Sequence, residues 1–233
     1  MYKGTMYKVQ RGIVLLLCMV CSFSLSAQDF RADRDLLDAY LRNDMPVWRQ
    51  FIDSAQHTEH LLIYEYGYCA ARIETDGGGA RPFVKRFRRH VEMLKEQLPS
   101  EHYAMYMSAV YVYEMKIHES FHPLRALSLA REAVNKAPND PLTLTHYGLT
   151  LFYAPKPVGN KREALRLFLK AEKIFADSSW ENCWLRPAAQ MYIAQCYDKQ
   201  GDKVEAVRRA KELLEQYPDY LYIKNTYLPA LLP

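Results

Sequence analysis

The sequence predicts an all-α chain, a right-handed superhelix of stacked antiparallel helix pairs with about ten helices. Three observations predict it. A triad of small or apolar residues at offsets of four and seven recurs, and each copy ends in a helix-stopping or small residue: Ala126, Ala130, Ala133 and Pro138; Ala164, Phe168, Ala171 and Ala176; Ala206, Ala210, Leu213 and Pro218. A weaker copy runs Phe87, Val91, Leu94 and Pro99, so the unit repeats about every 40 residues, the range of stacked helical pairs. Strand-like alternation is sustained nowhere, and proline, glycine and capping residues divide the chain at helix-length intervals.

The elements follow in order. Lys3, Lys8 and Arg11, the apolar run from Ile13 to Val20 and the small residues from Ser22 to Ala27 have the layout of a secretory signal peptide over 1–27. The apolar run is short of the ~20 residues of a membrane span. A lipid anchor needs a small residue before its cysteine, but Leu17 precedes Cys18 and Val20 precedes Cys21. Cleavage is expected after Ala27, with Ser26 the alternative because Leu25 is large for its position. The mature chain is then periplasmic or secreted, with no stable membrane insertion.

Residues 28–56 form N-terminal helices, 30–43 and 46–56, split at Met45-Pro46 because proline disfavours helix in the residue before it. The repeat domain spans 57–233. Its helices are expected at 60–74 and 82–98, broken by Asp76-Gly77-Gly78-Gly79; at 101–119 and 123–137; at 141–153 and 161–177; and at 185–199 and 203–217. Asp140-Pro141 supplies a cap and a first-turn proline, and Asp202 with Glu205 reads as a capping box. The stretch from Tyr103 to Tyr113 is rich in aromatic and β-branched residues, but its length favours helix.

Signal removal lowers the formal net charge of +4 by three, so no nucleic-acid partner is predicted. The basic cluster Lys85, Arg86, Arg88, Arg89 and His90 reads as one solvated helix face. Cys69, Cys183 and Cys196 remain, an odd number that permits one disulfide at most, and they read as small buried hydrophobes.

The last unit, Ile193-Ala194-Gln195-Cys196-Tyr197 followed by Gly201-Asp202, Ala206, Ala210, Leu213 and Pro218, resembles a tetratricopeptide repeat. Tyr147-Gly148 and Leu151 with Ala164, Phe168 and Ala171 repeat the likeness. It covers roughly residues 60–229, with a spacing near 40 where the family norm is 34 and extra loop residues from Ala154 to Asn160. The closing Pro218-Asp219-Tyr220, Tyr222-Ile223-Lys224-Asn225 and Leu228-Pro229 resemble the tail of uncharacterised exported repeat proteins of Gram-negative envelopes.

The resemblance implies a concave groove formed by fixed positions of each first helix: Leu61, Tyr64, Tyr68 and Ala71; Ser108, Tyr111, Met115 and His118; Leu142, Thr145, Leu149 and Phe152; Ala188, Met191, Gln195 and Asp198. Tyr64, Tyr68, Tyr111, Phe152 and Met191 are expected on one continuous surface, with His118, Gln195 and Asp198 as its directional polar groups. The lysine and asparagine pattern of carboxylate-gripping members is absent. Such a groove either binds something aromatic or apolar or is filled by the N-terminal helices.

No nucleophile elbow, phosphate loop or catalytic carboxylate pair is present. His57 with His60, and His118 with His122, stand at helical spacing near Met105, Met107 and Met115, but core filling explains these residues without a metal. The expectation is a non-enzymatic exported scaffold, without cofactor or metal, that binds a protein or peptide of the envelope. The alternative is a receptor for a small apolar ligand, resembling the repeat-built subunits of some tripartite uptake transporters.

Overall fold

The structure, a computed structural model, describes residues 34–55 and 59–232. The expected signal segment and His57 lie outside the described residues. Helix covers 34–42 (α1), followed by Met45–Ser54 (α2), Glu59–Thr75 (α3), Gly77–Met93 (α4), Ser100–Lys116 (α5), Pro123–Lys136 (α6), Pro141–Tyr153 (α7), Lys161–Phe175 (α8), Leu185–Lys199 (α9) and Lys203–Gln216 (α10). A π-helical turn, Ile223–Tyr227, and a short α11, Leu228–Leu231, close the chain. No strand occurs among the described residues.

Helices pair as α3 with α4, α5 with α6, α7 with α8 and α9 with α10, and each second helix stacks on the next unit. The recurring triads lie where this pairing is tightest. Ala126, Ala130, Ala133, Ala164, Phe168, Ala171, Ala206, Ala210, Leu213, Phe87, Val91 and Leu94 are all within 2% of complete burial. Small side chains let helix backbones approach closely, and a larger one forces them apart. At Gly148 of α7, an added Cβ would lie 2.7 Å from the Phe168 ring of α8.

Boundaries follow local chemistry. Asn43, with φ of 53°, takes the left-handed conformation that ends α1, and Asp44 accepts from the Val47 amide at 3.1 Å to start α2. Asp140 and Asp202 cap α7 and α10 as expected, accepting from Thr143 at 2.8 Å and Glu205 at 3.1 Å.

The boundary expected at 82 is corrected to Gly77. Asp76 accepts from the Gly79 amide at 3.0 Å, so the three glycines form the first turn of α4 and the break shrinks to one residue. Amides of a first turn have no intrahelical acceptor, so one carboxylate offsets much of the glycine cost there. Pro82 sits inside this helix. Its missing hydrogen bond falls opposite Gly78, which is exposed to water.

Buried charge fastens the first unit. Glu65, 2% exposed, accepts from Arg86 of α4 at 2.8 Å and pairs with His90 at 2.9 Å, while Arg86 also reaches Asp53 of α2 at 2.8 Å. Desolvation raises the Glu65 carboxyl above its ordinary range against the pull of His90 and Arg86.

Candidate functional site

The interior of the stack is aromatic and centres on Tyr66 of α3. Its ring meets Tyr113 and Tyr106 of α5, His146 of α7 and Trp184 before α9, at centroid distances of 5.9, 6.5, 5.7 and 5.9 Å. Helix α1 adds Tyr40 and α2 adds Trp48, both in ring contact with Trp184. Gly67 makes room for this: a Cβ there would stand 2.5 Å from Trp48 and 2.6 Å from Trp184.

Polar atoms in this interior form a directed chain. Ser108 donates to the Ala126 carbonyl at 2.8 Å, so its oxygen accepts from His146 Nε2 at 2.9 Å, and His146 Nδ1 is left to accept from the Tyr66 hydroxyl at 3.2 Å. Burial lowers His146 to about 4, which keeps it neutral. The Tyr113 hydroxyl donates to the Tyr66 carbonyl at 2.9 Å.

The residues expected to share one concave surface are divided among several places. Tyr64 and Tyr68 are buried beneath α2: the Trp48 indole donates to the Tyr64 carbonyl at 3.2 Å, Phe51 meets the Tyr64 ring, and Trp48 meets Tyr68. Met191 is buried and accepts a hydrogen bond on sulfur from Tyr220 at 3.1 Å. Tyr111 faces the second helices, with Arg88 of α4 and Arg125 of α6 stacked on its ring at 5.2 and 4.9 Å. Met115 and Leu149 are half-buried, and His118 is exposed at a positive φ of 59° just past α5. The expectation of one continuous surface is therefore corrected, and over Tyr64 and Tyr68 the N-terminal helix α2 takes the filling place that was the alternative. Helix α5 packs against α3, α4, α6 and α7 together, so residues 104–111 are buried all round and leave no free face.

Phe152, Gln195 and Asp198 do come together. They line a cleft of about 450 Å³ with Tyr153, Lys199, Lys203, Tyr222, Tyr227 and Leu231. Tyr153 and Tyr222 are 54% and 42% exposed, an unusual presentation of large aromatics. Gln195 donates to the Tyr222 hydroxyl at 3.4 Å, and Tyr222 stacks on Tyr227. Besides Lys199 and Lys203, Lys161 lies over the Phe152 ring at 5.7 Å and Lys116 over Tyr153 at 5.5 Å. Two carboxylates stand against these lysines, Asp198 paired with Lys199 at 3.8 Å and Glu74 with Lys116 at 4.0 Å. The four lysines outnumber them, and the rim is positive on balance. Sequence reasoning missed Tyr153, Tyr222 and Tyr227, although the density of tyrosines in the closing segment was a usable signal.

A second cavity, about 320 Å³, lies at the opposite ends of the first helices, where Glu59, His102 and Leu142 meet Leu36 of α1 and residues 179–184. Desolvation pulls His102 down, but the hydrogen bonds it donates to Asp140 and Glu59 outweigh this and raise the imidazole to about 10. The thiols of Cys69 and Cys196 are buried, and desolvation raises both, Cys196 to about 12. Cys183 and Cys196 are not joined to each other. No cluster of three metal-ligating side chains exists among the described residues, and no helix there is long and apolar enough to cross a membrane.

No family model matches the chain, and no curated protein matches it. Solved structures do. A thermophilic tetratricopeptide-repeat protein from Thermus thermophilus is 18% identical, with a TM-score of 0.53 over 90% of this chain and 97% of that one. Two structures of a kinesin light chain from Podosopora anserina with nearly identical repeats reach TM-scores of 0.37 and 0.36 at 16% identity, over 84% and 85% of this chain and 96% and 97% of theirs. The fold is thus a tetratricopeptide-like helical repeat.

Proposed function

We propose that the chain is an exported, non-catalytic repeat protein that holds a protein or peptide partner in the cell envelope. The observation that carries this reading is the aromatic, lysine-rimmed cleft between the ends of α7 and α9 and the closing segment. Its exposed Tyr153 and Tyr222 offer flat apolar area, and the excess of Lys116, Lys161, Lys199 and Lys203 over Glu74 and Asp198 favours an acidic neighbour. The partner is accordingly a segment carrying an aromatic or aliphatic side chain beside carboxylates. Helical-repeat folds suit this task because a rigid stack presents side chains from several units to one ligand.

The test is capture from an envelope extract by the mature chain and by two variants, Tyr222→Ala and Lys203→Glu. A specific partner should be lost from both and should elute with salt from the parent protein. Equal capture by all three proteins sinks the reading.

A second reading, reception of a small apolar ligand, is supported by the separate cavity beside α1, whose volume falls within the roughly 300–1,000 Å³ of small-molecule sites.

A further inference from the structure

Large apolar side chains are exposed unevenly on this stack. Phe121, Leu124, Val158 and Val204 are 79%, 74%, 40% and 84% exposed, and all four lie where a first helix turns into its second: α5 to α6, α7 to α8 and α9 to α10. The three turns share one edge. Lys116 at the end of α5 lies over the Tyr153 ring at the end of α7, and Tyr153 meets residues 198–203 across the cleft. Turns are ordinarily polar, so apolar tips on three consecutive units call for a contact outside the chain.

The charges of this edge leave a positive surplus facing outward. Glu119 is held by Arg81 and Lys85 of α4 at 3.4 and 3.1 Å, Glu163 by Arg166 at 2.6 Å, and Glu205 by Arg208. Glu74 and Asp198, on the flanking helix ends, pair with Lys116 and Lys199, and at the one-residue turn before α4 Asp76 pairs with Arg72. Asp202 caps α10 and has no basic partner among the described residues. Against it, Arg125, Lys156, Lys161, Arg162 and Lys203 have no ion pair among the described residues. His118 and His122 are exposed on the first of these turns and add no negative charge. At the opposite edge, where one unit leads into the next, the surplus reverses: Glu101, Asp177 and Glu181 have no basic partner among the described residues, against Arg186.

Apolar tips interleaved with unpaired cations along an edge fit a flat anionic surface. A plane touches the turns of consecutive units at once, whereas a peptide needs a concavity in which to bury its side chains. We infer that this edge rests reversibly on a lipid bilayer carrying anionic headgroups, with Phe121, Leu124, Val158 and Val204 among the headgroups and Arg125, Lys156 and Arg162 beside the phosphates. The contact is peripheral, since no helix among the described residues is long and apolar enough to span. It goes beyond the partner reading and does not depend on what the cleft holds.

Flotation of the mature chain with vesicles tests it, using two double variants outside the cleft: Phe121→Ser with Leu124→Ser, and Lys156→Glu with Arg162→Glu. The parent should bind vesicles of phosphatidylethanolamine and phosphatidylglycerol about tenfold more tightly than phosphatidylcholine alone, and salt should release it. Each double variant should lose about tenfold or more in affinity for the anionic vesicles. Both should melt with the parent, because all four side chains are exposed. Equal binding to the two kinds of vesicle overturns the charge assignment, and undiminished binding of the serine variant overturns the apolar tips. No flotation of the parent overturns the inference and leaves capture by the cleft standing, since that reading is tested at Tyr222 and Lys203. If the serine variant instead breaks up a dimer of the parent in solution, the edge is an interface between copies and the lipid assignment falls.

Discussion

The hydroxyl of Tyr40 lies 2.5 Å from that of Tyr220, across 180 positions of sequence. Beside it, Arg42 reaches Asp219 at 2.6 Å, but both side chains are more than half exposed, so this ion pair contributes little. The weight of the closure falls on apolar packing, above all on Trp48, 1% exposed against Tyr68, Trp184 and Tyr40.

Trp48→Ala should cost about 3–5 kcal/mol, the usual range for truncating a buried aromatic. It should also uncover the aromatic interior. A lower urea midpoint together with new binding of an apolar fluorescent dye checks both effects. An unchanged midpoint would show that α2 is not part of the core.

Ala210→Glu should unfold the last unit. Ala210 is 0% exposed between α9 and α10, where a carboxylate would have neither room nor a partner. The loss should be at least about 4 kcal/mol, seen as a lowered thermal midpoint.

Two glycines should respond with opposite sign. At Gly67 a methyl collides with both Trp48 and Trp184, and overpacking costs of about 1–3 kcal/mol outweigh the ~1 kcal/mol gain in helix propensity. At Gly77 nothing lies within 4 Å, so Gly77→Ala should stabilise by about 0.5 kcal/mol. Denaturant midpoints of the two variants should fall on either side of the parent.

Stability should peak near pH 6.5, the ordinary value of histidine. His146 is lowered to about 4, so the unfolded chain takes up a proton that the fold refuses, and stability falls as pH drops from 6.5 toward 4. His102 is raised to about 10, so the fold keeps a proton that the unfolded chain has released, and stability falls as pH rises from 6.5 toward 10. Asp140, held below its ordinary range by His102 and Thr143 against the opposing effect of burial, steepens the acid side. Urea midpoints from pH 4 to 10 should show both limbs, and His102→Asn should flatten the alkaline one most, with a smaller easing of the acid one because Asp140 loses its partner.

The repeat was legible because small residues at fixed offsets have a single physical use, close helix crossing. Ala126, Ala164 and Ala206 therefore announced their positions without reference to anything distant. Gly77 to Gly79 misled because glycine marks a break and also tolerates a first turn, and only the position of the Asp76 carboxylate separates the two. The binding surface was less legible. Phe152, Gln195 and Asp198 share the cleft, but counting along α5 could not show that its neighbours cover every face, and nothing local to Tyr40 or Trp48 says that their partners are Tyr220 and Trp184. Such contacts are set by the curvature of the whole stack.

In an ordinary linear array each unit touches only its neighbours, so the ends fray first and melting spreads inward. The bridge from Tyr40 to Tyr220 turns this array into a ring. Removing the last unit would break two interfaces, and α3 would loosen along with α9. The chain should therefore melt in one cooperative step, and amide protons of the first and last units should exchange at similar rates. It should also fold slowly for a helical protein, because the closing contact forms only after the whole length has been wound.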